Sequence, residues 1–532
     1  MAQMSGSKTE ELSGDSIPEA LSTEGTEPSK CEVAHTEYAS ERDVSDVTTN
    51  WTLKRAIAVA SLAGLYTGSQ IMLYFVGGAL SYVEEDLNAA DNRAWLPVSN
   101  TLAIAGVAPF VGYLQYFFGR RRITLIGEVV IMSGLVILAT SHHFRQAVAG
   151  MALCGAGAAV CELTALAGIA EIVPVRSRGW SIALLGIFLI PFALYVLYAQ
   201  LLSYYHTWRW TIWLSLIYNG LFFLGVLTTY FPKKRYDPDN TQEAATFRNI
   251  DYVGAVLSIV GITLFLVAIQ ASGGSHFSWS STYVLVQLAL GIVLIISWAV
   301  WEWKFARVPM IPHAMFAGQR TVGLAFLVAF IASLDLYSLI NFLPLTFSEV
   351  YSPEPLQIGL RGLGYGISVT AGATIFGMLL SVTWLPCRWI ITSAAVVMTA
   401  FGGAIAISNP TNVKLTVALG TIGGFGVGVI LVPAATLAMI VVPDSLLATT
   451  AALSLSIRTV GGSIGNTIYF NIFINKLAPA LPKFIIEHLL DAGLNASDAT
   501  AFAEVFMTAP DNVTQLASYS SNIETAAVLG KQ

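Results

Sequence analysis

Four ionisable residues lie inside otherwise apolar stretches of the chain: Glu128, Glu162, Asp335 and Arg458. A charge held within hydrocarbon is costly unless it faces a partner or a water-filled cavity, so such groups are the first candidates for moving protons or ions. Glu162 follows the small-residue run Gly155-Ala-Gly157 and is the leading proton-binding candidate; the same carboxylate would equally serve packing, paired with a base or a hydroxyl. Asp335 comes second. It precedes Asn341 by six residues and stands close to Tyr337, so it faces either the same cavity or the outer surface. Arg458, beside the glycine run that ends at Gly465, needs a carboxylate partner if it is buried. Glu128 is either a further proton-coupling group or one half of a helix-pair hydrogen bond. Gln70, Tyr74, Asn219 and Asn341 are candidates to line a cavity that would hold an amphipathic ligand with few directed hydrogen bonds.

The elements that must position these residues are long and apolar. About thirteen such stretches run from Arg55 to Leu477, and a hydrocarbon core of about 30 Å needs about 20 residues per helix. The fold expected is an all-α polytopic membrane protein, with helices near 55–80, 94–116, 122–141, 146–172, 179–202, 209–231, 251–271, 282–302, 321–347, 360–381, 387–407, 413–441 and 446–475. Composition agrees: 55% of residues are hydrophobic and 11% charged, against about 25% charged in a soluble domain. The net charge of −6 comes largely from residues 1–50, an acidic segment read as a disordered cytoplasmic tail. Residues 51–231 form a first six-helix group and 232–250 a basic linker. Residues 251–302 form an isolated helix pair, 303–477 a second and incomplete bundle, and 478–532 a polar tail. Four scattered cysteines and the lack of any His/Cys cluster predict neither disulfide nor metal site. No GxxxxGK[ST] run is present for ATP phosphates, and no nucleophile and base cluster suggests an enzyme. No cofactor is expected.

Basic residues of short loops stay on the cytoplasmic side. Lys54 and Arg55, Arg120 to Arg122, Arg176 and Arg178, and Lys233 to Arg235 all fall on one side, which places the N-terminus in the cytoplasm. Thirteen crossings then put the tail outside, where Asn495-Ala-Ser497 and Asn512-Val-Thr514 are glycosylation sequons. Asn50-Trp-Thr52, on the cytoplasmic side, should stay unmodified.

After the second helix comes Gly112-Tyr-Leu-Gln-Tyr-Phe-Phe-Gly119-Arg120-Arg121-Arg122, and after the fourth Glu171-Ile-Val-Pro174-Val-Arg176-Ser-Arg178-Gly179. With Trp208-Arg209-Trp210, the ninth-helix run around Asp335 and the thirteenth-helix run Ser456 to Gly465, these resemble the major facilitator superfamily. Their order is similar to that of the fungal fourteen-helix drug:proton antiporters, and within them to the trichothecene efflux pump group and its siderophore-transporter relatives. The resemblance implies two pseudo-symmetric helix bundles with an extra helix pair between them, and a gating motif at Gly112, Gly119, Arg120 and Arg121. It further implies a plasma-membrane, or vacuolar, transporter that exports an amphipathic toxin, secondary metabolite or drug against protons by alternating access. Its partners would be that small molecule, protons and membrane lipid, with no nucleic acid.

The departures are specific. Tyr116 stands where the gating motif carries Asp, Met151 where the antiporters carry Arg on the fourth helix, and Ile190 where a glycine should precede Pro191. No apolar run of spanning length follows Leu477, so the fourteenth helix is missing. Alternative readings are uptake of ferric siderophores, or a truncated, non-transporting relative.

Overall fold

The structure is a computed structural model that describes residues 52–88, 95–173, 178–232, 251–272, 279–306, 311, 315–316, 320–347, 351, 354–379, 387–408, 412–442, 446–491 and 493–508. The acidic segment 1–50, nearly all of the 232–250 linker and the Asn512 sequon lie outside the described residues. Among those described, regular structure is entirely helical. α1 is Leu53–Gly78, α2 Leu80–Asp86, α3 Trp95–Phe118, α4 Arg120–Ala139 and α5 Phe144–Ile172. α6 is Arg178–Leu189; a 3-10 turn, Ile190–Leu194, joins it to α7, Tyr195–Tyr205. α8 is Arg209–Thr229, α9 Tyr252–Ala271, α10 Thr282–Lys304, α11 Arg320–Thr346 and α12 Pro355–Leu379. α13 is Cys387–Ala404, α14 Val413–Val441, α15 Leu447–Asp491 and α16 Ala496–Thr508.

Local chemistry explains the starts and breaks. Thr52 accepts from the Arg55 amide at 3.4 Å, and the Asp251 carboxylate accepts from Gly254 at 2.8 Å, so α1 and α9 begin with capped amides. Pro191 has no amide hydrogen to continue an α-helical ladder, and there the fifth expected helix tightens into the 3-10 turn. Hydroxyls inside the apolar helices bond to carbonyls a turn back, as Thr67 does to Ala63 at 3.1 Å and Ser333 to Ala329 at 2.7 Å.

Twelve spans among the described residues are long and apolar enough to cross a membrane, and they coincide with the first twelve helices read from the sequence. Their outward faces carry large apolar side chains such as Ile217, Leu221 and Ile296, which suits a lipid solvent. The thirteenth helix differs from expectation. It does not stop near residue 475 but runs on to Asp491 as a 45-residue helix, so Leu477 is not the end of an element. Arg458, Ser456, Thr459, Ser463, Asn466 and Thr467 are all buried on α15, and these polar side chains dilute the apolar character of the stretch.

Two seams join the first six-helix group to the later helices. On one, Ser456 of α15 donates to the Ala105 carbonyl of α3 at 3.0 Å, and Ser463 to Thr101 at 3.1 Å. On the other, Gly359 and Gly362 of α12 face Leu197 and Val196 of α7, while Gly377 faces Ala183 of α6. Absent side chains let the backbones approach there. The helix pair α9/α10 packs on itself at Gly261 and Gly291, and leans on α3 through Thr263 against Gly106.

Candidate functional site: a buried ion pair between the two halves

Arg458 begins eleven residues into α15, and Glu162 stands on α5. The two meet: Arg458 Nη2 lies 2.6 Å from Glu162 Oε2, with side chains 8% and 1% exposed. The geometry is that of a charge-assisted hydrogen bond. Arg458 Nη1 also donates to the Tyr66 hydroxyl of α1 at 3.4 Å. Ser69 of α1 adjoins the Glu162 carboxylate, and Tyr337 of α11 adjoins the guanidinium. One ion pair therefore draws on four helices, two from each half. Small residues make this possible. Gly461 lies against the Phe330 backbone and Gly462 against the Tyr337 ring, which brings α15 onto α11. The carboxylate that Arg458 needed is thus Glu162.

The other charged candidates are not joined to this pair. Glu128 is buried at 1% exposure on α4, where the Cys161 thiol of α5 donates to its Oε2 at 3.2 Å. That is a helix-pair bond. Asp335 sits on α11 facing Gly402 of α13, and its Oδ2 is buried without a hydrogen-bond partner among the described residues. Met151, at the position where the antiporters carry Arg, is fully buried in the α5 core, and its carbonyl accepts from Asn100 of α3 at 3.3 Å.

The four cavity candidates spread over several helix contacts. Gln70 is buried on α1. Tyr74 packs on Tyr195, with ring centroids 5.2 Å apart. Asn219 donates to the Gly68 carbonyl at 3.3 Å and the Ser215 carbonyl at 2.8 Å, which ties α8 to α1. Asn341 donates to Asn466 Oδ1 at 3.1 Å, linking α11 to α15 near Gly77 of α1. Both asparagine amides are engaged in helix contacts. Asn466 was not singled out by sequence reasoning, although its place directly after Gly465 on the polar face of α15 was a signal.

At the basic end, Gly112 faces Ala448 and Ala452 at the start of α15, so the gating motif touches the other half through backbone and methyl groups. Gly119 has a φ of 84° and caps α4, a left-handed conformation that favours glycine. Arg121 donates to the Leu227 carbonyl at 2.7 Å and lies 3.9 Å from the Phe231 ring centroid, with Lys54 at 4.7 Å from the same ring. Its contacts are with α8 and with Phe231 just beyond it, inside the first half. Arg120 is half-buried beside it at the head of α4. Tyr116 belongs to α3. At the opposite end, Arg209 pairs with Asp86 at 2.8 Å and donates to the Ser141 carbonyl at 2.8 Å, while Trp208 Nε1 donates to Asp86 at 3.1 Å. The Trp-Arg motif ties three turns of the first half together. Sequence reading missed Asp86, the exposed last residue of α2, which follows two other acids, Glu84 and Glu85.

Residues 45–527 match the fungal trichothecene efflux pump family. The chain belongs to that family. Among curated relatives of this trichothecene efflux pump family member, the MFS-type transporter gkaD of Penicillium citrinum is 27% identical, over 95% of this chain and 86% of its own length. The efflux pump dotC of Dothistroma septosporum is 29% identical over 60% of this chain and 56% of its own. The matches with pydD of Acremonium sp, the two dotC pumps and transporter L2 of Phoma sp. cover between 51% and 61% of those relatives' own lengths. Among solved structures, the human organic anion transporter MFSD10 superposes with a TM-score of 0.53 at 14% identity, covering 80% of this chain and 94% of that one. The proton:xylose symporter XylE gives 0.50 at 14% identity, covering 90% and 94%. The fold of this family member is that of the major facilitator superfamily.

Proposed function

We propose that the chain is a secondary active transporter that exports a small amphipathic molecule, a toxin, secondary metabolite or drug, in exchange for protons by alternating access. The observation that carries this reading is the Glu162–Arg458 pair, at 2.6 Å and buried between helices of opposite halves. While the pair is closed, α5 and α15 are held together. A proton on Glu162 removes one charge, and Arg458 turns to Tyr66, Tyr337 or an electronegative group of the ligand. The halves then separate on that side. Glu128 and Asp335 are further proton-coupling candidates, and Gln70, Tyr74, Asn219 and Asn341 remain the residues assigned to the ligand path. The first six-helix bundle and the bundle of α11 to α15, with α9/α10 as the added pair, are the moving bodies in this scheme. A relative named as an efflux pump and a fold shared with a proton:xylose symporter support it.

The proposed setting is the plasma membrane, with Lys54, Arg55 and Arg120 to Arg122 on the cytoplasmic face and α15 as a thirteenth crossing. The test uses inside-out vesicles from a yeast without its major drug exporters. An acid interior should drive uptake of fluorescent amphiphiles or toxins, and Glu162→Gln should abolish the pH-driven part. Uptake by the wild type that ignores an imposed pH difference, or none across a toxin panel, would overturn the proposal.

A further inference from the structure

The length and direction of α15 place a sequon. Near the start of α15, Ala448 and Ala452 face Gly112, which precedes the basic turn Arg120 to Arg122. Further along, Asn466 bonds to Asn341 of α11, and Asn341 lies against Gly77 at the far end of α1. α15 therefore runs from the face that holds Arg55 and the basic turn to the opposite face. At 1.5 Å per residue its 45 residues extend about 67 Å, more than twice a hydrocarbon core of about 30 Å. Arg458, the partner of Glu162, stands about 16 Å from the start, and Asp491 about 50 Å beyond it. In the orientation proposed above, a helix of this length carries its last turns beyond the far face of the bilayer.

There the chain folds back. Gly493, with a φ of 95°, turns it, and α16 packs on α15 through Phe502, Ala503 and Ala499 against Ile485 and Leu489. Asn495 forms the tip. Its carbonyl accepts from the amides of Asp498 at 3.1 Å and Ala499 at 2.9 Å, so it stands immediately before α16 and opens its hydrogen-bond ladder. Its side chain is exposed and makes no hydrogen bond among the described residues, and Ser497 is exposed beside it. Asn495-Ala-Ser497 is thus an acceptor triplet at a solvent-facing loop tip.

We infer that Asn495 carries an N-linked glycan on an extracytoplasmic hairpin formed by the end of α15 and α16. The co-reactant is a lipid-linked oligosaccharyl diphosphate. Asn495 Nδ2 forms a bond to the anomeric carbon, the bond from that carbon to the diphosphate oxygen breaks, and the amide nitrogen gives its proton to a base of the transferase. A glycan at this tip points away from the small hairpin core, so folding of α16 does not oppose it. The inference rests on the orientation proposed above.

The test is the gel mobility of the full-length, membrane-integrated chain before and after amidase deglycosylation. The expected result is a shift that Asn495→Gln and Ser497→Ala each reduce by one glycan and Ser497→Thr preserves, while Asn50→Gln changes nothing. A shift unaltered by Asn495→Gln in protein that still reaches the membrane overturns the assignment. A membrane-impermeant maleimide applied to intact cells bearing Ser497→Cys separates the two ways of failing. Labelling of this variant, together with no amidase-sensitive shift in the wild-type chain, overturns the modification alone; protection until the cells are opened overturns the orientation with it.

Discussion

The molecule holds two arginine–carboxylate pairs of nearly equal length and opposite circumstance. Arg458 and Glu162 meet at 2.6 Å with side chains 8% and 1% exposed, and Arg209 and Asp86 at 2.8 Å with side chains 23% and 43% exposed. The first crosses between the halves, buried among helices; the second links the end of α2 to the start of α8 within one half, where water can screen it. Distance alone would rank them together. Environment separates them, because charges removed from water depend on each other, whereas exposed ones retain solvent as an alternative partner.

Breaking the buried pair gives the largest expected effect. Removing one partner, as in Arg458→Gln or Glu162→Gln, leaves a buried charge uncompensated and should cost about 3–5 kcal/mol. Removing both, as Glu162→Leu with Arg458→Met, should restore much of that stability while pH-driven export stays absent. Thermal unfolding in detergent, run beside vesicle uptake, checks both statements. An Arg458→Gln protein as stable as the wild type would show that the pair is not a buried lock.

The glycine contacts that seat Arg458 come next. A methyl group at Gly465 would stand 2.5 Å from the Leu334 carbonyl oxygen and 2.6 Å from its Cα, atoms that cannot rotate away. Gly465→Ala should therefore force α11 and α15 apart at a cost of about 1–3 kcal/mol, with weakened export. Gly220 of α8 has nothing within 4 Å of such a methyl. Gly220→Ala should be neutral or stabilising by up to about 1 kcal/mol, since alanine favours the helix. Equal melting temperatures for the two variants would mean that the α11/α15 approach does not govern stability.

How much of this was legible varied with the kind of information needed. The helices were, because an apolar run of spanning length is a local property, and the ends of twelve of them fall close to where hydropathy put them. That Arg458 requires a carboxylate was also readable, since isolated buried cations are costly. Its partner Glu162 stands 296 residues earlier. Only the packing of α15 between the first-half helices and α11 joins them, and no local pattern encodes that. Asp86 was invisible for the opposite reason: at the exposed end of a short helix a carboxylate is ordinary, and only the fold brings Trp208 and Arg209 to it. The extension of α15 past Leu477 was missed because residues 478–491 are too polar for a membrane span, and absence of a span was read as absence of helix.

Breaking the outer pair should have the smallest effect. Asp86→Asn keeps an oxygen that can accept from Trp208 Nε1, and Arg209 keeps the Ser141 carbonyl at 2.8 Å, so only the Coulombic part is lost. For a pair this exposed that part is about 0–1 kcal/mol and should shrink further as salt rises. Export by Asp86→Asn should stay near wild type at every salt concentration, and its melting temperature should converge on the wild-type value as salt is added. Arg458→Gln should show no such convergence, because its partner is out of reach of counterions. If Asp86→Asn instead abolished export while the fold persisted, the outer turn would have to take part in the transport cycle, and the contrast between a working pair and a supporting pair would fail.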